Sequence, residues 1–254
     1  MLLLTTVALA AALQGTTQGR DFRWTGSIAR GKTLEVMGVN GDVRASLASG
    51  SRAAVTGVKS TRRSDPESVE IKVEESADRV TICVLYPSRG QSSCHGKSTR
   101  RNHDSNENND VRVDFTVNVP AGVRFIGRTV NGEMEARNLE ADADVSTVNG
   151  NVEVSTQGFA EATTVNGDVT VSVGRGDWNG QASFQTVNGS VTVTLPASLN
   201  ADVKASTVNG DIDSDFPLTV RGKFGPRSVN GTIGSGGRMM SLGTVNGSIY
   251  LRKR

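Results

Sequence analysis

The tripeptide Val-Asn-Gly occurs eight times in this chain, and seven of the copies lie in its C-terminal half. Successive copies in that half are 16 to 22 residues apart. An internal repeat with such a period is typical of a solenoid, in which each repeat packs only on its neighbours. The repeat therefore constrains the fold more than any local propensity does. Its asparagines are Asn40, Asn131, Asn149, Asn166, Asn188, Asn209, Asn230 and Asn246.

The composition predicts an all-β protein. Residues typical of strands and turns dominate, and no stretch shows the 3.6-residue apolar period of an amphipathic helix. Aromatic residues make up 4% of the chain, which favours a narrow core of Val, Ile and Ala. The formal net charge of +2 gives no reason to expect a nucleic-acid partner.

The full repeat reads T/S-V-N-G-x-V/I-x-V/L in most copies, for example at residues 164–171. A two-residue Asn-Gly hairpin turn is one interpretation. That turn would place Val165 opposite Asp168 and divide the apolar residues between two faces, which strand register disfavours. A single extended strand instead gathers Val165, Val169 and Val171 on one face.

A parallel β-solenoid (β-helix) fits this pattern, with coils of about 19 residues built on the T-V-N-G-x-V/I-x-V repeat. Equivalent residues would stack at ~4.8 Å spacing. We expect the Val column to fill the interior, the Gly column to permit a bend, and the Asn column to form an amide ladder. The regular solenoid is expected over residues 111–254, continuous with an N-terminal β region at residues 20–110.

Residues 1–13 form an apolar run that matches the core of a secretory signal peptide and is too short to span a bilayer. We assign residues 1–19 to such a peptide, with the cleavage site left open; a buried N-terminal strand is the alternative. No other segment has the length of a membrane span. The protein is therefore expected to be exported to the periplasm, the cell surface or the extracellular space.

The two cysteines, Cys83 and Cys94, predict a disulfide because exported proteins usually oxidise such a pair. The bond would tether a polar loop at residues 88–110. His95 and His103 lie nearby, so a zinc site is the alternative, but the spacing matches no standard zinc pattern. We expect neither a metal nor a cofactor.

Three features together resemble the bacterial "putative adhesin" family, a β-strand-repeat domain of unknown function. They are the T-V-N-G-x-V/I-x-V repeats, the strand that ends in Val119-Pro120-Ala121-Gly122, and a terminal copy at residues 244–249. The resemblance implies a β-helical fold and an exported location. It supplies no catalytic residue.

Short chemical motifs add little. Arg175-Gly176-Asp177 spells a tripeptide that some cell-adhesion receptors bind, but such a short match arises easily by chance. Aspartates follow Asn-Gly in three copies, a faint similarity to calcium-binding β-rolls, but the other copies carry Glu, Asn, Ser or Thr at that position. Those three aspartates are Asp42, Asp168 and Asp211.

A catalytic constellation is not evident either. Five carboxylates lie on polar strand positions without a neighbouring His, so we expect no enzyme; a polysaccharide-active β-helix enzyme is the alternative. They are Glu133, Glu135, Asp142, Asp144 and Glu153.

The sequence thus predicts an exported, non-enzymatic adhesin-like or structural protein of the cell envelope. Its partner would be a cell-surface molecule, a glycan or a protein, and binding is expected in the loops at residues 88–110 and 174–180. An envelope-stress or sensory partner protein is a further alternative. The open solenoid ends also offer a route to self-association, because unpaired strand edges invite pairing.

Overall fold

Strands provide nearly all of the regular structure. The computed structural model describes residues 16–18, 21–86, 92–95, 109–175, 181–217, 220–221 and 227–254. Those residues form two sheets of eleven strands each. The only helical turn in these ranges is a short 3-10 helix at Pro66–Ser68. The predicted all-β class is confirmed.

Sheet A is ordered β1-β2-β5-β8-β4-β10-β12-β14-β16-β22-β18, with strands numbered along the chain. Its strands are β1 Thr16–Gln18, β2 Asp21–Ser27, β4 Val43–Leu47, β5 Arg52–Ser60, β8 Arg112–Val119, β10 Met134–Leu139, β12 Val152–Thr156, β14 Val169–Val173, β16 Val191–Leu195, β18 Ile212–Ser214 and β22 Ile249–Lys253.

Sheet B is ordered β19-β20-β17-β21-β15-β13-β11-β9-β3-β7-β6. Its strands are β3 Thr33–Met37, β6 Glu70–Glu75, β7 Arg79–Leu85, β9 Arg124–Arg128, β11 Ala143–Ser146, β13 Ala160–Thr163, β15 Gln181–Gln185, β17 Ala201–Asn209, β19 Val220–Arg221, β20 Arg227–Ile233 and β21 Met239–Asn246.

Seven copies of the tripeptide lie where the chain passes from sheet B to sheet A. At one of them β13 ends at Thr163 and β14 begins at Val169. Equivalent strands of neighbouring repeats pair in parallel, so that Val169 is aligned with Val152 and with Val191. The space between the sheets is filled by Val, Ala, Leu, Ile and Phe side chains, which form one buried cluster.

The prediction that the tripeptide valines fill the interior is wrong. Val165 is 38% exposed, whereas the preceding Thr164 is 2% exposed. In β13 the inward positions are Ala160 and Ala162, so the alternation continues to Thr164 and places Val165 outside. Inward positions resume at Val169, because the corner interrupts the strand that the sequence reasoning treated as continuous.

The repeats do not stack in the order of the chain. The last repeat, with strands β21 and β22, lies between the repeat of β15 and β16 and the repeat of β17 and β18. Beyond β17, β20 pairs in the antiparallel direction. The tripeptide copy at residues 229–231 therefore lies within a strand, and its Val229 is buried.

The N-terminal region extends both sheets. Strands β2 and β5 pair antiparallel beside β8, and β6 pairs antiparallel with β7. Most of the predicted signal peptide lies outside the described residues; its part at Thr16–Gln18 pairs antiparallel with β2. Of the polar loop at residues 88–110, the structure describes residues 92–95 and 109–110.

Replacing the corner glycine is expected to destabilise the protein. Gly167 has φ +154°, and a Cβ there would overlap with the carbonyl oxygen of Gly150 in the adjacent repeat. We expect Gly167→Ala to lower the free energy of unfolding by more than about 2 kcal/mol in urea denaturation. The control is Gly50→Ala, whose added Cβ meets no atom within 4 Å. Equal effects of the two substitutions would contradict the close approach.

The carboxylate of Asp110 organises the neighbouring turn. It accepts hydrogen bonds of 2.8–3.1 Å from the Ser64, Arg62 and Arg63 amides and from the Thr61 hydroxyl. These bonds, those from Ser64 first, hold the pKa of Asp110 well below its usual range. A depressed folded-state pKa stabilises the fold above the unfolded pKa.

Thermal melting as a function of pH tests this assignment. The contribution of Asp110 should be complete above about pH 4 and be lost as the pH falls through the folded-state pKa. We therefore expect Asp110→Asn to melt below the wild type at pH 6 and the difference to shrink towards pH 2. A difference that does not depend on pH would refute the role of the charge.

Candidate functional site

The asparagine side chains form a directional ladder along one corner of the molecule. Each amide Nδ2 donates to the Oδ1 of the preceding rung at 2.7–2.9 Å. An interior rung thereby keeps one N–H and part of its oxygen free for another partner. The order of the rungs is Asn40, Asn131, Asn149, Asn166, Asn188, Asn246 and Asn209. Asn230 lies outside the ladder, because it belongs to the antiparallel strand β20.

Backbone hydrogen bonds between repeats hold the ladder in register. The Asn166 amide donates to the Val148 carbonyl at 2.8 Å, and the Gly167 amide donates to the Asn188 carbonyl at 2.9 Å. The backbone polar groups of the corner are thus hydrogen-bonded to the repeats on both sides. These bonds hold the asparagine side chains at a regular spacing.

A column of buried threonines lies beneath the ladder. The Thr164 hydroxyl donates to the Gly150 carbonyl at 2.9 Å, and Thr186 donates to Gly167 at 2.8 Å. This inward role, which the repeat pattern predicts for Val, belongs to Thr. The signal was available, because Thr precedes Val-Asn-Gly in six of the eight copies. The threonines are Thr129, Thr147, Thr164, Thr186, Thr207 and Thr244.

Six exposed valines follow the ladder along the same corner and are 38–49% exposed. Together with the seven ladder asparagines they form a surface that we name the Val–Asn ridge. Seven rungs at ~4.8 Å spacing extend over roughly 30 Å. The ridge can offer apolar contacts and amide hydrogen bonds at a repeated interval. Its valines are Val130, Val148, Val165, Val187, Val208 and Val245.

Arginines pair with the carboxylates that the sequence reasoning considered for catalysis. Arg137 pairs with Glu135 at 3.0 Å and with Glu153 at 2.9 Å. Arg128 pairs with Asp144 at 3.1 Å on sheet B. Glu133 is 3.9 Å from Arg44, and the carboxylate of Asp142 accepts a hydrogen bond from the Phe159 amide. Glu135 and Glu153 are aligned on neighbouring strands of sheet A and share Arg137, and Glu133 and Glu135 share Arg44, whereas Asp144 lies on sheet B.

Glu161 is a carboxyl group that sequence reasoning did not single out. It is aligned with Asp144 on the adjacent strand. Burial, and secondarily the charge of Asp144, raise the pKa of Glu161, while Arg124 and Arg128 oppose the shift. The pair places like charges on neighbouring strands, and two nearby arginines offset them.

The three aspartates of the calcium hypothesis have protein partners. The Asp42 carboxylate is 2.6 Å from Arg112 and 2.7 Å from Arg44. Burial raises the pKa of Asp42, but the Glu133 amide and these two arginines outweigh it and lower the pKa. Asp168 accepts from the Ser190 amide at 2.7 Å, and Asp211 pairs with Arg227. Within the described ranges no group of three or more His, Cys, Asp or Glu could hold a metal ion.

Two further sequence candidates are partly described. Cys83 and Cys94 form a disulfide, with their Cα atoms 5.5 Å apart. Arg175 donates to the Gln157 carbonyl at 3.1 Å, while the Gly176 and Asp177 of its tripeptide lie outside the described residues. The same is true of His103 and of most of the two loops in which binding was predicted.

Two parallel-rich sheets, joined at corners by a repeated tripeptide whose amides form a ladder, define a solenoid-like β-repeat protein. The chain belongs to the Toastrack DUF4097 family, whose model matches residues 29–252.

The chain is similar to solved structures from several bacteria. A putative cell adhesion protein from Clostridium sporogenes ATCC 15579 is 13% identical, with a TM-score of 0.46, 91% of this chain covered and 99% of the other. A putative adhesin from Bacteroides fragilis NCTC 9343 is 10% identical, with a TM-score of 0.34 and coverages of 93% and 98%. A putative lipid binding protein from Parabacteroides distasonis ATCC 8503 is 11% identical, with a TM-score of 0.21 and coverages of 92% and 97%.

No curated protein matches the chain. Among the residues that the structure describes, no helix is long and apolar enough to cross a membrane.

Removing one ladder amide is expected to weaken the stack. Asn166 donates to Asn149 and accepts from Asn188. We expect Asn166→Ala to lower the free energy of unfolding by about 1–2 kcal/mol, because two hydrogen bonds are lost at an exposed site. Asn230→Ala is the matched control, since its amide is exposed and outside the ladder; its effect should stay below about 0.5 kcal/mol. Comparable losses in both variants would argue against the ladder as a stabilising element.

Proposed function

We propose that the protein is an exported, non-enzymatic, adhesin-like module of the cell envelope. In this proposal, stacked coils of about 19 residues form a rigid β-solenoid that presents the Val–Asn ridge to a partner. The observation that carries the proposal is the exposure of the same apolar residue at six successive positions of a regular stack.

The chemistry of the ridge supports an extended partner. Six of the seven rungs offer exposed apolar surface from Val, and the interior rungs offer unused hydrogen-bonding capacity from Asn. A glycan strand or an extended peptide carries both apolar faces and polar groups at a repeated interval. Contacts that are weak at one rung add along the stack, because the scaffold fixes the spacing and the partner is held at several points.

The charged groups support a non-enzymatic role. Each of the five carboxylates considered for catalysis has an arginine or backbone partner, and Glu135 and Glu153, which are adjacent, share Arg137 as a common counter-charge. Catalysis by such groups would need two of them, with distinct protonation, to approach one reacting bond.

The apolar leader-like segment and the disulfide support export. Residues 1–13 have the length and composition of a signal-peptide core. The Cys83–Cys94 bond is typical of oxidising compartments.

Binding to isolated cell-envelope fractions tests the ridge. We expect the double variant Val165→Thr/Val187→Thr to bind immobilised cell-wall glycan or envelope protein at least about fivefold more weakly, because Thr keeps the branched shape and removes apolar surface. Val58→Thr is the control, since Val58 is 48% exposed on β5 and lies off the ridge. The proposal fails if the wild type binds no envelope component, or if ridge and control variants bind equally.

A further inference from the structure

Residues 92–95, which we name the strap, lie across the outer face of sheet B at its β6 end. The Ser92 carbonyl accepts a hydrogen bond from Lys72 Nζ at 2.6 Å, and the Cys94 amide donates to Glu74 Oε1 at 3.1 Å. The disulfide joins Cys94 to Cys83 on β7. The strap therefore crosses two adjacent strands and has one covalent anchor.

A buried carboxylate lies beside the strap. Glu35 occupies β3 between Leu34 and Val36, which belong to the interior, so its side chain lies on the outer face. Glu35 is nevertheless only 2% exposed. His95 Nε2 lies 3.3 Å from Glu35 Oε2, which places the end of the strap directly on the carboxylate.

Apolar side chains are buried on the same outer face. Cys83 and Leu85 of β7 and Ile126 of β9 are buried, yet none of them belongs to the cluster between the sheets. Glu35 is aligned with Ile126 on one side and with Thr81 of β7 on the other. This end of sheet B thus has a second covered surface, which we name the Glu35 patch, consisting of Glu35, Thr81, Cys83, Leu85 and Ile126.

The Glu35 carboxylate has partners that do not depend on the strap. Arg79 Nη1 is 2.8 Å from Glu35 Oε2, and the Thr81 hydroxyl donates to the same oxygen at 3.1 Å. Departure of His95 would leave the charge paired, which avoids the large cost of an isolated buried ion. No strap residue belongs to the cluster between the sheets. The strap can therefore leave without opening the main core.

We propose that the Cys83–Cys94 disulfide is a redox switch that holds the strap over the Glu35 patch when oxidised and releases it when reduced. This inference is independent of ligand binding by the Val–Asn ridge. It concerns the outer face of sheet B, whereas the ridge lies at the corner between the sheets, and it would stand if the ridge bound nothing.

The chemistry of release is a thiol–disulfide exchange with a dithiol reductant. A thiolate of the reductant attacks the sulfur of Cys94, the less buried residue of the two, and the Cys83 thiolate leaves and takes up a proton. The second thiol of the reductant then attacks the mixed disulfide and releases the Cys94 thiol. Two electrons and two protons pass to the protein, and the reductant becomes a disulfide.

Thiol labelling of the full-length protein tests the switch. The folded protein is reduced with dithiothreitol, and the maleimide reaction rates of Cys83 and Cys94 are followed by mass spectrometry. Cys83 is 2% exposed in the oxidised structure. If the bond holds the strap, the released Cys83 should react within about tenfold of the rate of Cys94. Protection of Cys83 by more than about a hundredfold would show that the strap stays in place without the bond, and would overturn the proposal.

The single variant Cys94→Ser provides the second measurement. It leaves Cys83 as a lone thiol under a strap that has no covalent anchor, and its labelling rate should equal that of the reduced wild type. Circular dichroism and a cooperative melt establish that both forms remain folded. A bond that resists dithiothreitol in the folded protein, or a fold that is lost on reduction, would contradict a switch and indicate a purely structural disulfide.

Discussion

At the corners of the stack, the glycine of one repeat lies against the carbonyl group of the glycine in the neighbouring repeat. A Cβ atom on Gly150, Gly167 or Gly189 would overlap with that carbonyl. This contact sets how closely adjacent repeats approach and therefore allows the hydrogen bonds between their strands. The asparagine ladder, the buried threonine column and the aligned interior side chains all require that spacing. The rest of the architecture depends on the absence of one side chain per repeat.

The all-β class could be predicted from the sequence, because a repeated tripeptide and a strand-forming composition leave few alternatives. The predicted inward position of the tripeptide valines is wrong for a definable physical reason. Strict alternation from Val165 to Val169 predicts that both side chains point inward, but the chain turns between them and the inward positions shift by one residue. The exposed half of the candidate site was therefore assigned to the core. The residue that points inward at the corner is Thr164 or its equivalent. The sequence carries this signal, because Thr precedes Val-Asn-Gly in six of the eight copies.

The spatial order of the repeats could not have been predicted from the tripeptides. Each copy presents nearly the same corner, so the local sequence does not distinguish a neighbour along the chain from a distant one. The pairing of β17 with both β20 and β21 decides the order, and it places Asn246 between Asn188 and Asn209. Asn230 has the same tripeptide but lies in an antiparallel strand. Identity of the motif is therefore not enough to give a residue its place in the ladder.

Strand β3 connects the Glu35 patch to the ridge, since it is followed at once by the first rung of the ladder at Asn40. The two surfaces are nonetheless energetically separable. The β3 backbone is held in parallel register by β7 on one side and β9 on the other, and the strap contributes no bond to that register. Side chains on the outer face of β3 can therefore be covered or uncovered while the corner keeps its geometry. A rigid repeat scaffold permits this combination, because its stability resides in contacts between neighbouring repeats and little of it depends on one peripheral segment.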